Sequence, residues 1–231
     1  MFKFDKLVFG DLGWGDELFF ATLMTITVSI LSMGLGLCLA IITVWAKLIT
    51  NRITGFIANF YTTVVRGVPE LLVIYLIFFG GNSVVMGVAK LFGYNGYIEL
   101  NALTIGTIAI AFISATYSSE VIRAAYLAVN KGQVEAAKAL GLNKIQIFLR
   151  VMGPQIIRHA LPGIGNVWQI TLKDTSLISV TGLVEIMRQT RIASNVEHSP
   201  LTFLITAAFL YLFLTTFSGK FFKVLEVNYS K

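Results

Sequence analysis

The residues best suited to contact a polar solute stand inside long apolar stretches of this 231-residue sequence. One cluster reads RGVPE at residues 66–70, with Arg66 and Glu70 at its ends. Charges at membrane depth are costly, so they usually face a partner, a cavity or water. Because Pro69 lacks a backbone donor and Gly67 allows close approach, we expect a kinked helix that lines a solute path. In this interpretation Arg66 or Glu70 faces the solute. The alternative is a structural ion pair between them, four residues apart on one helix face.

A second cluster, KDTS, consists of Lys173, Asp174, Thr175 and Ser176. About 15 residues of helix after Arg158 rise roughly 22 Å, which places Asp174 well inside a bilayer. Neighbouring helical residues point in different directions, so Lys173 and Asp174 need not pair with each other. We expect one of them, with Asp174 favoured, to face a cavity that admits the solute. A structural role for Asp174 is the alternative.

No residue pattern indicates covalent chemistry or a bound cofactor. The phosphate-binding pattern G-x-x-x-x-G-K-[ST] does not occur, so the chain has no recognisable means of holding ATP. His159 and His198 are isolated, and Cys38 is the single cysteine, inside an apolar run. We therefore predict no catalytic residue, no metal site and no cofactor bound by this chain. If transport is driven by ATP, another polypeptide must supply the ATPase.

The composition is that of an integral membrane protein. Hydrophobic residues make up 56% of the chain and charged residues only 13%, against about 25% charged residues in soluble domains. The net charge of +6 suggests basic cytoplasmic loops rather than binding to nucleic acid. We expect a single all-α transmembrane domain over residues 1–231.

Long apolar runs predict about five membrane-spanning helices. The predicted spans cover residues 19–46, 55–80, 102–127, 155–182 and 200–219. We expect residues 81–101 to form a loop. The loop at 47–52, the stretch at 131–166 and the tail are basic, whereas the N-terminus and the 81–101 loop are not. Because basic loops stay in the cytoplasm, we predict an external N-terminus and a cytoplasmic C-terminus.

The polar stretch between the third and fourth spans predicts two short helices. The segment 133–140 is rich in residues that favour helices, and Gly141 fits its end, where a positive φ is common. Asn143 can cap a second helix that runs towards Pro154. A short amphipathic helix on the membrane surface is a candidate for docking into another protein, while the alternative is an ordinary loop helix between spans.

This stretch resembles the EAA loop of permease subunits of bacterial ATP-binding-cassette (ABC) importers. The resemblance rests on EAA at 135–137, on Gly141 and on VMGP at 151–154. The family usually has an apolar residue before the final proline, where this chain has Gly153. The resemblance implies a coupling loop at about 131–154 that contacts the ATPase. Its coupling residues are Glu135, Ala136, Ala137 and Gly141.

Further segments resemble the polar amino-acid subfamily over nearly the whole chain. These segments are RGVPELL, SSEVIRAAYLAVNKGQVEAAKALG and LPGIGNVWQITLKDTSLISVTGLVEIMR. The PELL form of the first looks most like subunits of histidine, basic amino-acid and opine importers. The resemblance implies the MetI-like permease fold and a bacterial inner-membrane location. The charges at membrane depth, rather than the resemblance, predict a solute path that includes both charged clusters.

The same resemblance implies several partners. They are a cytoplasmic ATPase dimer that holds ATP and Mg²⁺, a second permease subunit that is identical or related, an external solute-binding protein and membrane lipid. The alternative function is that of a secondary transporter or channel that works without an ATPase, and a membrane-embedded enzyme is a more distant one.

Overall fold

The computed structural model describes residues 4–10, 13–49, 51–94, 96 and 101–230, and every regular element within these ranges is a helix. The all-α prediction is therefore confirmed. The α-helices, in chain order, are α1 (Gly15–Leu48), α2 (Arg52–Gly67), α3 (Glu70–Leu91), α4 (Ala102–Ala128), α5 (Lys131–Ala139), α6 (Lys144–Ile147), α7 (Gly153–Asp174), α8 (Ile186–Glu197) and α9 (Pro200–Ser230). A π-helical turn, Phe148–Met152, joins α6 to α7, and a 3-10 helix, Thr175–Thr181, follows α7.

Four of the described helices are long and apolar enough to cross a membrane, namely α1, α3, α4 and α9. The predicted span at 155–182 corresponds to α7 together with the 3-10 helix, and α7 is not among these four. Its polar residues, among them Arg158, His159, Lys173 and Asp174, lower its hydropathy. A membrane crossing by α7 therefore stays a prediction.

The predicted second span, residues 55–80, is wrong in its boundaries, because two separate helices occupy it. α2 ends at Gly67, Val68 is extended with φ −107° and ψ 143°, and Pro69 precedes α3. A residue before proline is pushed out of the helical region, which accounts for the break. α3 then continues to Leu91, so residues 81–91 of the predicted 81–101 loop are helical. Residues 95 and 97–100 of that loop lie outside the described part of the chain.

The centre of the bundle is α4, which packs against α1, α3 and α7. Its contact with α1 is close because small residues meet there. A Cβ added at Gly36 of α1 would lie 2.2 Å from Ser114 Oγ, and the Ser32 hydroxyl donates to the Thr107 carbonyl at 3.1 Å. Gly36 thus allows the two helices to approach closely, whereas Gly34 has open space around it.

A buried carboxylate, Glu185, fixes the corner between the 3-10 helix and α8. It caps α8 by accepting the backbone N–H groups of Met187 at 2.9 Å and Arg188 at 2.7 Å. It also accepts the hydroxyl of Tyr211 in α9 at 2.9 Å. Burial raises the pKa of Glu185 above its ordinary value, although these donors and Arg191 act in the opposite direction. Glu185 thereby ties α8 to α9.

Candidate functional site

The two charged clusters meet in space, at a point where three helices end or begin. Arg66 lies in the last turn of α2, Glu70 begins α3, and Asp174 ends α7. The carboxyl groups of Glu70 and Asp174 are close enough to share a hydrogen bond. The structure therefore brings the two acidic residues proposed from the sequence into one site, here called the acidic cluster.

Tyr117 of α4 contacts the acidic cluster, although the sequence does not predict it as a site residue. Its hydroxyl donates to Glu70 Oε1 at 3.0 Å, and the Arg66 guanidinium lies over its ring, 5.6 Å from the ring centroid. A guanidinium over an aromatic face is attracted by the ring quadrupole. The available signal was a lone tyrosine among the small residues of ATYSSE, three positions before Glu120.

The alternative of a structural ion pair between Arg66 and Glu70 is wrong. The break at Val68 and Pro69 places the two residues on different helices, so the four-residue spacing no longer puts them on one helix face. Among the residues that the structure describes, no ion pair joins them. Arg66 is exposed and faces Tyr117 instead.

The remaining residues of the second cluster differ in exposure. Lys173 is exposed, Asp174 and Ser176 are partly buried, and Thr175 is fully buried. The Thr175 hydroxyl donates to the carbonyl of Leu172 at 2.7 Å, within its own helical turn. The predicted place of Thr175 in the solute path is therefore wrong, because Thr175 is buried inside the protein at the start of the 3-10 helix.

The helix α5 ends before Gly141 as predicted, but it begins at Lys131, two residues ahead of the predicted segment 133–140. The Asn130 side chain caps its start by accepting the N–H of Gly132 at 2.8 Å. At its end Gly141 has φ +80°, and its N–H bonds to the Lys138 carbonyl at 2.9 Å. The N–H of Leu142 reaches back to the carbonyl of Ala137 at 3.1 Å. This pair of bonds is the usual way in which a glycine terminates a helix.

The face of α5 that is free for a partner differs from the expectation. Glu135 and Ala136 are exposed, but Ala137 is 4% exposed and packs within the chain. Just beyond the helix, Leu140 is 82% exposed and Ile145 is 70% exposed. Exposed side chains of this size can be covered by a partner. The exposed side chains here are therefore Glu135, Ala136, Leu140 and Ile145, and not Ala137.

The link from α6 to α7 explains the unusual glycine before Pro154. The Asn143 side chain caps α6 as predicted, in a reciprocal bond with Gln146. The N–H of Gly153 then donates to the carbonyl of Phe148, five residues back, which forms the π-helical turn. A Cβ on Gly153 would lie 3.0 Å from that carbonyl oxygen. Pro154 cannot donate and its ring would crowd the carbonyl four residues back, so a wider turn ahead of it relieves the clash.

A buried charge network lies near the end of α4. Glu120 and Arg123 form an ion pair at 3.3 Å within α4. The other Glu120 oxygen accepts a hydrogen bond from Lys47, which also donates to Thr62 Oγ1 at 2.7 Å. Lys47 lies in the last turn of α1 with its side chain 3% exposed. The assignment of Lys47 to the 47–52 loop was therefore wrong.

The chain is similar in sequence to known proteins along almost its full length. Residues 32–229 match the profile of the family described as binding-protein-dependent transport system inner membrane component. The chain is 44% identical over 220 residues to the octopine transport system permease protein of Rhizobium meliloti, covering 95% of this chain and 93% of that protein.

Two further relatives have similar coverage. The nopaline transport system permease protein of Agrobacterium fabrum is 48% identical over 217 residues, covering 94% of this chain and 92% of that protein. The histidine/lysine/arginine/ornithine transport system permease protein of Escherichia coli is 38% identical over 218 residues, covering 94% of this chain and 95% of that protein.

Solved structures agree with the fold. The crystal structure of an amino acid ABC transporter with histidines matches with a TM-score of 0.79 and 28% identity, covering 93% of this chain and 95% of that chain. An inward-facing methionine ABC transporter, MetNI, matches with a TM-score of 0.62 and 14% identity, covering 90% of this chain and 94% of that chain. The second likeness concerns the fold alone.

These findings confirm the resemblance to permease subunits of ABC importers and the MetI-like fold predicted from the sequence. The family match spans the helices that carry the acidic cluster, the coupling helix and the buried charge network. The chain belongs to the family of binding-protein-dependent transport system inner membrane components.

Proposed function

We propose that this chain is the permease subunit of an ATP-driven importer for positively charged polar amino acids or opines. The observation that carries this proposal is the pair of neighbouring carboxyl groups, Glu70 and Asp174, held beside Tyr117 where α2, α3, α4 and α7 meet. The named relatives are permeases for octopine, for nopaline and for histidine, lysine, arginine and ornithine. All of these solutes carry a guanidinium, imidazole or ammonium group.

The chemistry of the acidic cluster suits such solutes. The carboxylates of Glu70 and Asp174 repel each other when both are ionised. A cationic group bound between them would relieve this repulsion. The guanidinium of Arg66 is exposed at the edge of the cluster. Guanidinium groups bind carboxylates in a two-pronged geometry, so Arg66 is placed to hold the carboxylate end of an amino acid. Lys173 and Ser176 complete the proposed path.

Coupling to ATP hydrolysis is assigned to α5 and the turn that follows it. The exposed Glu135 and Ala136, with Leu140 and Ile145, form the surface that docks into a groove on a separate ATPase, and Gly141 fixes the end of α5. Glu135 has no ion-pair partner among the described residues, so its carboxylate is free to pair with a basic group on that partner. ATP and Mg²⁺ bind to the ATPase dimer, and this chain performs no covalent chemistry.

The complete importer contains a second permease subunit, identical or related, and an external solute-binding protein. In this arrangement the N-terminus lies outside the inner membrane and the C-terminus lies in the cytoplasm, since the basic segments should stay inside. Alternating access then takes place at the interface between the two permease subunits.

The test is uptake into proteoliposomes that contain the complex co-purified from native membranes. Labelled arginine, histidine, octopine and nopaline are offered with and without ATP, and glutamate serves as the anionic comparison. We expect ATP-dependent uptake of at least one cationic solute. Uptake by the purified chain without an ATPase would instead identify a secondary transporter.

The acidic cluster is tested with Asp174→Asn and Glu70→Gln in the same complex. Loss of a buried charge partner should weaken solute binding by about 2–5 kcal/mol, by analogy with truncated charge pairs in interfaces. The complex should still assemble. Glu17→Gln, at an exposed acid in the first turn of α1, is the matched control and should transport normally. Wild-type uptake by both cluster variants at low solute concentration would contradict the assignment.

A further inference from the structure

Three helices are joined by one buried ammonium group. Lys47 comes from α1, and its Nζ donates to Thr62 Oγ1 of α2 at 2.7 Å and to Glu120 Oε1 of α4. The Lys47 side chain is 3% exposed and that of Glu120 is 29% exposed. A charge removed from water in this way is tolerated only with good partners, and Lys47 has two. We call these three side chains the Lys47 joint.

The Lys47 joint is close to the acidic cluster along two helices. On α2, Thr62 precedes Arg66 by four residues, and on α4, Tyr117 precedes Glu120 by three residues. Each step is about one helical turn, roughly 5 Å along the axis. Arg66 and Tyr117 are the two residues that touch at the edge of the acidic cluster. Any shift of α2 against α4 at the joint therefore changes the geometry of that contact.

The Lys47 joint also lies between α5 and the acidic cluster along α4. Glu120 is eight residues before the end of α4 at Ala128, which corresponds to about 12 Å of helix. Only Val129 and Asn130 separate α4 from α5, and Val129 is 7% exposed. So short a connection, packed against the bundle, gives α5 little freedom to move without α4.

The chemistry of the joint is unsuited to a purely stabilising role. A buried ion pair contributes little net stability compared with apolar side chains of the same size. Its hydrogen bonds are directional, however, so they fix the rotation and register of α1, α2 and α4, whereas an apolar contact would allow them to slide. The pairing thus favours a role in positioning these helices.

We propose that Lys47, Thr62 and Glu120 are positioning residues that make α1 and α2 move together with α4 when the ATPase displaces α5. The proposal rests on the proposed function, because it needs an ATPase that docks on α5. It extends that function by naming the device that carries the motion to the acidic cluster.

The decisive variant is the double substitution Lys47→Met with Glu120→Gln. It removes both charges together, so no unpaired charge stays buried, and the amide oxygen of the new glutamine can still accept from Arg123. We expect normal assembly and normal ATP hydrolysis, with uptake per ATP reduced about fivefold or more, the size of a typical coupling between sites. Lys47→Arg alone keeps the charge and should retain most of the coupling. The readout uses the probe solutes and complex of the transport assay above.

A matched control pair lies near the other end of α1. Lys6 and Glu197 form an ion pair at 3.6 Å. Lys6→Met with Glu197→Gln also removes one positive and one negative charge, but it should leave uptake per ATP unchanged. Wild-type uptake per ATP in the Lys47/Glu120 double variant would overturn the proposal. Failure of that variant to assemble would overturn it too, because the pair would then serve assembly. If the wild-type complex shows no ATP-dependent uptake, the proposed function itself fails, which is a distinct result.

Discussion

At the scale of single residues, Tyr117 makes two different contacts in the acidic cluster. Its hydroxyl bonds to Glu70, and its ring lies under the Arg66 guanidinium. Tyr117→Phe removes only the hydroxyl, whereas Tyr117→Leu also removes the aromatic face. Because a guanidinium over an aromatic ring gains about 0.5–2 kcal/mol, we expect the Leu variant to lose more solute affinity than the Phe variant. Equal affinities in binding assays on the reconstituted complex would show that the ring face makes no contribution.

Glu185 makes the stability of the fold depend on pH. Its pKa is raised by burial, so the folded chain holds this proton more tightly than the unfolded chain. Stability from this group is therefore fully present below the ordinary pKa of glutamate and is lost as the pH rises towards the raised value. Glu185→Gln, which cannot ionise, should lack this loss. We expect the melting temperature of the variant, relative to that of the wild type, to increase from pH 5 to pH 8 in detergent.

The comparison with Arg191 gives this prediction its control. Arg191 is exposed and only opposes the shift at Glu185. Arg191→Gln should therefore keep the pH dependence of the wild type and make it slightly steeper. A constant difference in melting temperature between Glu185→Gln and the wild type across this pH range would contradict the role given to Glu185.

At the scale of elements, helix ends were predictable because they depend on neighbouring residues. Gly141 and Asn143 were placed correctly from their types alone, since a positive φ favours glycine and a short amide side chain caps a helix start. The break before α3 was visible as Val68-Pro69 but was interpreted as a kink. Whether the chain bends within one helix or forms two separate helices depends on how α2 and α3 pack against α4, and neighbouring residues do not determine that packing.

Partners across helices could not be predicted in the same way. A helical pattern shows which face of a helix is apolar, but not which residue of another helix meets it. Lys47 and Glu120 are 73 residues apart in the chain, and Tyr117 is 47 residues from Glu70. The sequence therefore predicts Glu70 and Asp174 as candidate site residues, while the contacts of Tyr117 with Glu70 and of Lys47 with Glu120 are apparent only in the structure.

The end of the coupling helix gives an element-scale prediction. Gly141 has φ +80° with open space around it, so substitution there acts through backbone strain and charge rather than through a clash. Asn and Asp are nearly the same size and both tolerate this conformation better than other residues. Only Asp adds a negative charge near a helix C-terminus, where the helix dipole disfavours it. We expect Gly141→Asp to reduce ATPase association and stimulated hydrolysis, and Gly141→Asn to retain most of both.

Co-purification and ATPase rates in nanodiscs measure this difference. Both variants should insert normally, because the change lies between α5 and α6 and outside the four long apolar helices. Full association, hydrolysis and transport in the Asp variant would remove the docking role from this turn. Equal losses in both variants would show that backbone strain, not charge, is the cause.

At the scale of the whole molecule, the surface is strongly apolar. Within α3 only Val73 and Ile74 are buried, while side chains such as Leu76 and Phe79 are more than 60% exposed. Exposed apolar surfaces of this extent on a protein in water would promote aggregation. In a membrane such side chains face lipid or a neighbouring protein chain. The bundle therefore depends on its surroundings along α3 as well as on its own core.

Labelling from the two sides of the membrane shows whether α7 crosses it. Single cysteines at Glu17, Lys144, Asn195 and Lys223, all exposed positions, are introduced on a Cys38→Ala background and labelled with an impermeant maleimide in intact and inverted vesicles. Because basic segments stay in the cytoplasm, we expect positions 17 and 195 to label from outside and positions 144 and 223 from inside. If α7 lies on one side, positions 195 and 223 exchange sides, while position 144 stays opposite position 17. Labelling of positions 17 and 144 from the same side would contradict the proposed orientation altogether, since α1, α3 and α4 lie between them.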